Sequence, residues 1–193
     1  NSFFNGRTVT NGLLTLIGTN HTFAGSTIST KVSARCTRVF LNGSVFNDSL
    51  KIVIPSTGRV HASKGGNTFN GPVSITDSAI AGITLADSLP DIFNSTLDLY
   101  NASTANIFIA HKATGCQFNG TVSFNGPNIY SNYYGSATYT SNIILNNASG
   151  NFFFGYSTGS CTQTAGNKIS IGGSGMSSGQ LYLRNFTSLD SSS

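Results

Sequence analysis

The sequence predicts an all-β protein: a right-handed parallel β-helix (β-solenoid) of about eight rungs, with roughly 24 residues per rung. Three observations predict it. A block led by an aromatic residue and Asn returns at a nearly constant interval. Each block is followed by an apolar pair spaced two residues apart. Small turn-forming residues separate the pairs.

The interval is clearest in the middle of the chain. Thr68-Phe69-Asn70-Gly71, Ile92-Phe93-Asn94-Ser95 and Gln117-Phe118-Asn119-Gly120 place their phenylalanines 24 and 25 residues apart. Phe46 lies 23 residues before Phe69, Phe23 lies 23 before Phe46, and Phe4 lies 19 before Phe23. Onward, the register runs through Tyr139 and then Ala165. These aromatic positions predict one internal ladder: Phe4, Phe23, Phe46, Phe69, Phe93, Phe118 and Tyr139. The following Asn47, Asn70, Asn94 and Asn119 can either stack through their amides at a bend or serve as plain turn residues. Both roles remain open for them.

The strands follow from the pairs. Leu50 and Ile52, Val73 and Ile75, Leu97 and Leu99, Val122 and Phe124, Ile143 and Leu145, and Ile169 and Ile171 all alternate with period two. Such alternation is a strand with one buried face. A second pair follows in several copies: Ile83 and Leu85, Ile107 and Ile109, Phe152 and Phe154, Leu181 and Leu183. A unit this short cannot bury its own apolar face, so copies stack and each covers the next. Irregularity is expected from Gly126 to Ala137, where Tyr130, Tyr133 and Tyr134 suggest a bulge or altered turn. A β-sandwich accounts for the strand content equally well, but not for the return of the same block.

Composition narrows the function classes. Only 8 % of residues are charged, and all six acids are Asp. Ten Lys and Arg give a formal charge of +4, but they are scattered singly, so no basic stripe suited to nucleic acid forms. No apolar run approaches a membrane span. Cys36, Cys116 and Cys161 make no paired metal-ligand spacing and read as buried small hydrophobes. The chain reads as a single unit over residues 1–193, processed or excised from a longer repeat protein.

The blocks Asn67 to Ile75, Leu85 to Ser88 with Asp91 to Asn94, and the tail Ile169 to Gly173 with Leu181 to Thr187 carry a resemblance. They resemble the tandem repeats in the stalks of giant Bacteroidetes cell-surface adhesins, exported by the type IX system and used in gliding. That resemblance implies an extracellular, cell-surface location and a mechanical, adhesive role. It also implies O-glycans on a short Asp-Ser/Thr-apolar motif. Asp48-Ser49-Leu50, Asp77-Ser78-Ala79 and Asp87-Ser88-Leu89 match that motif, which makes Ser49, Ser78 and Ser88 candidate acceptors. Asp-Ser is equally good turn chemistry. Asn-x-Ser/Thr sequons occur at Asn20, Asn42, Asn47, Asn94, Asn101, Asn119, Asn147 and Asn185, as expected by chance in so Asn-rich a chain.

Catalytic chemistry finds little to build on. A polysaccharide-cleaving site would need paired carboxylates, and Asp87 with Asp91, preceded by Asp77, is the nearest approach. The equivalent positions of neighbouring rungs hold Ser63, Lys64, His111 and Lys112, so Asp87 and Asp91 are expected to be turn residues. His61 and His111 fall at similar points of rungs two apart, about 10 Å from each other by strand spacing. A solvated surface is expected for them and for His21. The expectation is therefore a non-catalytic stalk or filament segment with no cofactor and no metal. Its partners would be neighbouring repeats or like subunits end to end. Alternatives are a glycan-binding module, with Tyr130, Tyr133, Tyr134 and Tyr156 stacking on sugar rings, and a segment of a phage or viral fibre.

Overall fold

The computed structural model describes residues 1–146, 150–172, 176 and 178–189. The described chain is all-β, without a helix, and winds into a solenoid of about 8 turns with ~23 residues per turn. Every strand pairs in parallel with the equivalent strand one coil away. That excludes the antiparallel sandwich, because only stacked coils bring equivalent blocks side by side.

A full coil visits three sheets in order, with strands counted over the described residues. Sheet 1 is nine-stranded and contains Leu50–Ile54, Val73–Asp77 and Leu97–Asn101. Sheet 2 is six-stranded and contains His61–Ala62, Ile83–Thr84 and Ile107–Ile109. Sheet 3 is nine-stranded and contains Val45–Phe46, Thr68–Phe69 and Ile92–Phe93. The first apolar pairs register as expected: Val73 with Leu50, Leu97 and then Val122, and Ile75 with Ile52, Leu99 and then Phe124. The second pairs form sheet 2, where Ile83, Ile107, Ile129, Phe152 and Leu181 follow one another inward.

The first coils are simpler. Leu13–Ala24 and Lys31–Asn42 are unbroken strands of 12 residues that cover the course of both sheet 1 and sheet 2. Sheet 2 separates only after Leu50–Ile54, where Pro55 brings no N–H to continue the ladder and Gly58 N–H closes a turn on the Pro55 carbonyl at 2.8 Å.

This difference corrects the aromatic ladder. Phe4 and Phe23 belong to sheet 1, where they pair with each other and Phe23 then registers with Leu41. In sheet 3 the residue before Phe46 is Ile28. From Phe46 the expected ladder holds through Phe69, Phe93, Phe118 and Tyr139, with ring centroids 4.5–5.3 Å apart and interplanar angles of 7–15°. Phe23 reaches that stack across the core, edge-on to Phe46 at 5.2 Å and 69°. Equal spacing had hidden a change of sheet. The next position after Tyr139 is Gln163, not Ala165. The stretch 126–137 shows the altered turn and not the bulge: Ile129–Ser131 pairs residue for residue with Ile107–Ile109, but Phe124 reaches Ile129 in five positions where Leu99 takes eight to reach Ile107.

The ladder rings are fully buried, each worth about 1.5–3 kcal/mol of burial. Outside the wall, the asparagines resolve into a stack. Asn70, Asn94 and Asn119 each donate a side-chain N–H to the Asn Oδ1 of the preceding coil at 2.8 Å. Asn47 donates to Ser29 Oγ at 2.9 Å, and Thr140 donates to Asn119 Oδ1 at 3.1 Å. Gly71 and Gly120 follow this stack where neighbouring coils approach closely. A Cβ on Gly120 would stand 2.3 Å from the Ser95 carbonyl.

Candidate functional site

Sheet 2 turns one residue of each strand outward. Between the buried positions, Thr84, Phe108, Tyr130, Phe153 and Tyr182 form a second ladder on the outer face. Its rings stack closely: Tyr130 on Phe153 at 4.3 Å and 6°, and Phe153 on Tyr182 at 4.4 Å and 2°. Phe108 lies 5.0 Å from Tyr130 on the other side.

The corner after sheet 2 adds a parallel column. Ala86, Ala110 and Asn132 hold positive φ of 50°, 49° and 60° there, and Gly155 holds 71°. This left-handed step ends the strand and puts the next residue outside the wall. Those next residues are Asp87, His111, Tyr133 and Tyr156. Asp87 Oδ1 accepts from His111 Nδ1 at 2.8 Å and lies 3.2 Å from Lys112 Nζ. His111 meets Tyr133 at 5.7 Å, Tyr133 meets Tyr156 at 4.7 Å, and the Arg184 guanidinium sits over the Tyr156 ring at 5.6 Å. Burial on its own would raise the Asp87 pKa, but hydrogen bonds and charge from His111 and Lys112 outweigh it and hold the carboxyl below its ordinary value. Desolvation raises the Tyr130 phenol, helped by the neighbouring Tyr156, Tyr133 and Tyr182.

Ring orientation limits what this surface can do. The faces of Tyr130 are taken by Phe108 and Phe153, so it shows solvent an edge and not a stacking face. Tyr134, at 48 % exposure, is the most open of the four tyrosines named from the sequence. Phe108, Phe153, Tyr182 and Arg184 were missed there. A readable signal existed for the rings: each occupies the middle of an apolar-x-apolar strand, the outward place in a period-two pattern.

The other sequence-derived candidates scatter. Asp87 and Asp91 lie on opposite sides of the wall: Asp87 faces out, while Asp91 is 1 % exposed. Asp91 is thus a core residue and not a turn residue, and Asp77 is equally buried. His61 is not equivalent to His111. It registers with Ile83 in the inner ladder of sheet 2, its Nδ1 against the Arg59 carbonyl at 2.9 Å. His21 is buried in sheet 1. Both were expected on the surface, and burial lowers the pKa of both. All three cysteines are free and buried, and burial pushes Cys36 up to about 11 and Cys116 to about 12. Among the described residues, no three His, Cys or Asp side chains converge as a metal site would require, and no helix is long and apolar enough to cross a membrane.

Ser49 and Ser78 are half-buried and Ser88 is exposed beside Asp87. Of the sequons, Asn47, Asn94 and Asn119 spend their side-chain N–H in the amide stack. Asn101 gives its own to the Ala105 and Pro127 carbonyls, and Asn185 to the Gly159 carbonyl. Asn147 lies outside the described residues. Comparison with family models, with curated proteins and with solved structures finds nothing that matches this chain.

Proposed function

We propose that this chain is a rigid spacer in an adhesive, extracellular cell-surface repeat protein, with a mechanical rather than catalytic role. One observation carries the reading. Its three continuous networks, namely the parallel backbone ladders, the internal ring stack and the external amide stack, all run from coil to coil along one axis. About eight coils at roughly 4.8 Å make a rod of the order of 40 Å. The few charges and the Ser-, Thr- and Asn-rich exterior fit a surface whose work is to hold distance.

Coil excision tests it. Deleting residues 70–93 joins Phe69 to Asn94 and removes one coil in register. On cells displaying the chain beneath an unrelated capture tip, each excised coil should lower tip reach in a graded way, whichever coil is taken. Loss of attachment from one particular coil alone, with the tip intact, would mark a binding module instead. A second reading, glycan capture, rests on the open Tyr134 ring; a substitution there that abolishes attachment without changing rod length favours it.

A further inference from the structure

The outer column on the sheet 2 corner is asymmetric in charge about its centre. Reading along the rod, it runs Asp87, His111, Tyr133, Tyr156, Arg184. Asp87, with Lys112 Nζ 3.2 Å from its Oδ1, stands two coils before Tyr133, and Arg184 stands two coils after it. The adjacent ladder has the same centre: Phe108 and Phe153 flank Tyr130, which shares the coil of Tyr133. Reversing the rod therefore maps Asp87 onto Arg184 and Phe108 onto Phe153.

We propose that this face is a self-association surface, on which a second copy of the chain docks antiparallel across a two-fold axis at the coil of Tyr130 and Tyr133. In that pairing, Arg184 of each copy meets Asp87 of the other, Phe108 meets Phe153, and Tyr133 meets its own counterpart. A two-fold interface has to be self-complementary in this way. The local chemistry supports the match. His111 and Lys112 approach Asp87 Oδ1, and the Asp87 side chain stays 27 % exposed. Arg184 is exposed and engaged through its ring contact with Tyr156. Tyr, Phe and Arg are the residue types that anchor protein interfaces. The same rings suit a sugar poorly, because the ladder covers the stacking faces of Tyr130 and shows edges and hydroxyls. Five coils by two columns is a small patch by the standard of stable dimers, so the association is weak and concentration-dependent.

Sedimentation equilibrium of the full chain, from micromolar to about millimolar, reads it directly. A reversible monomer–dimer equilibrium that weakens with added salt is expected, since the outer pair is solvent-exposed. Asp87→Asn and Arg184→Gln should each weaken the dimer about three- to tenfold, and the double variant no further than either single one. Within one copy the two residues lie four coils apart, about 19 Å, where independent effects would add. Tyr133→Cys should give a disulfide-linked dimer on mild oxidation; circular dichroism and the burial of the native thiols separate this from misfolding. A monomer at every concentration, additive effects of the two charge variants, or no cross-link at position 133 would each overturn the proposal. So would an oligosaccharide binding this face of a chain that stays monomeric.

Discussion

Asp91 lies one coil beyond Asn67, and its Oδ1 accepts both the backbone N–H and the side-chain N–H of Asn67 at 2.9 Å, while its Oδ2 meets no donor among the described residues. Asn67 in turn accepts the Ser44 N–H at 2.9 Å, and Ser44 accepts the Ser26 N–H at 3.1 Å. The inner corner before sheet 3 is thus a polar column in the early coils. It turns apolar at Cys116, which occupies the same place one coil after Asp91. A half-satisfied carboxyl at this junction is costly when ionised.

Burial accordingly raises Asp91 to about 7, against the pull of its Asn67 hydrogen bonds. The folded chain then holds a proton that the unfolded chain releases above the ordinary value of 3.8. Stability contributed by Asp91 is complete below that value and falls as pH rises toward 7, by a total on the order of a few kcal/mol. His21 and His61 act oppositely, because their lowered pKa stabilises the fold above 6.5 and is lost as pH falls. Asp91→Asn should therefore match the parent in Tm near pH 4 and exceed it increasingly up to pH 7. Thermal melts across that range check this; a constant difference would sink it.

The amide stack gives a directional prediction. Asn94 donates to Asn70 and accepts from Asn119. Asn94→Ala should cost about 1–2 kcal/mol for two exposed bonds. Asn94→Asp should cost more, since the carboxylate keeps an acceptor for Asn119 but faces Asn70 Oδ1 with no donor. Urea unfolding of the two variants decides it, and equal midpoints would refute the stack's polarity.

Close coil contact makes a third. Gly120→Ala should destabilise by about 1–3 kcal/mol, because the new Cβ meets Ser95 backbone at 2.3 Å. The same change at Gly115, where nothing lies within 4 Å, meets only the strain of a φ of +90°. If Gly120→Ala is neutral in urea unfolding, the coils are not packed this tightly.

The thiols offer a fourth. Cys36, Cys116 and Cys161 are buried with raised pKa, and the thiolate is the reactive form. Ellman's reagent at pH 8 should find no reactive thiol in the folded chain and all three in denaturant. Fast reaction of the native protein would contradict their burial.

The recurrence of Phe-Asn blocks fixed the solenoid, its coil length and the inward strand positions, because stacking forces equivalent residues into register and so writes the fold into the sequence as a period. Even the amide stack was present as one of two readings of Asn47, Asn70, Asn94 and Asn119. What spacing could not tell was which sheet a residue joins. Phe23 precedes Phe46 by the same 23 residues that separate Phe46 from Phe69, yet it lies in sheet 1: the early coils take only 18–19 residues, and the five from Phe23 to Ile28 make up the difference. Nor could it tell which side of the wall a polar residue takes. Asp87 and Asp91 are four positions apart in one corner, and a left-handed step at Ala86 sends the first outward while the second turns into the core. Facing is set by backbone dihedrals at the corners, which the tertiary stacking decides, so the buried Asp91 and the outer column from Asp87 to Arg184 emerged only once the coils were assembled.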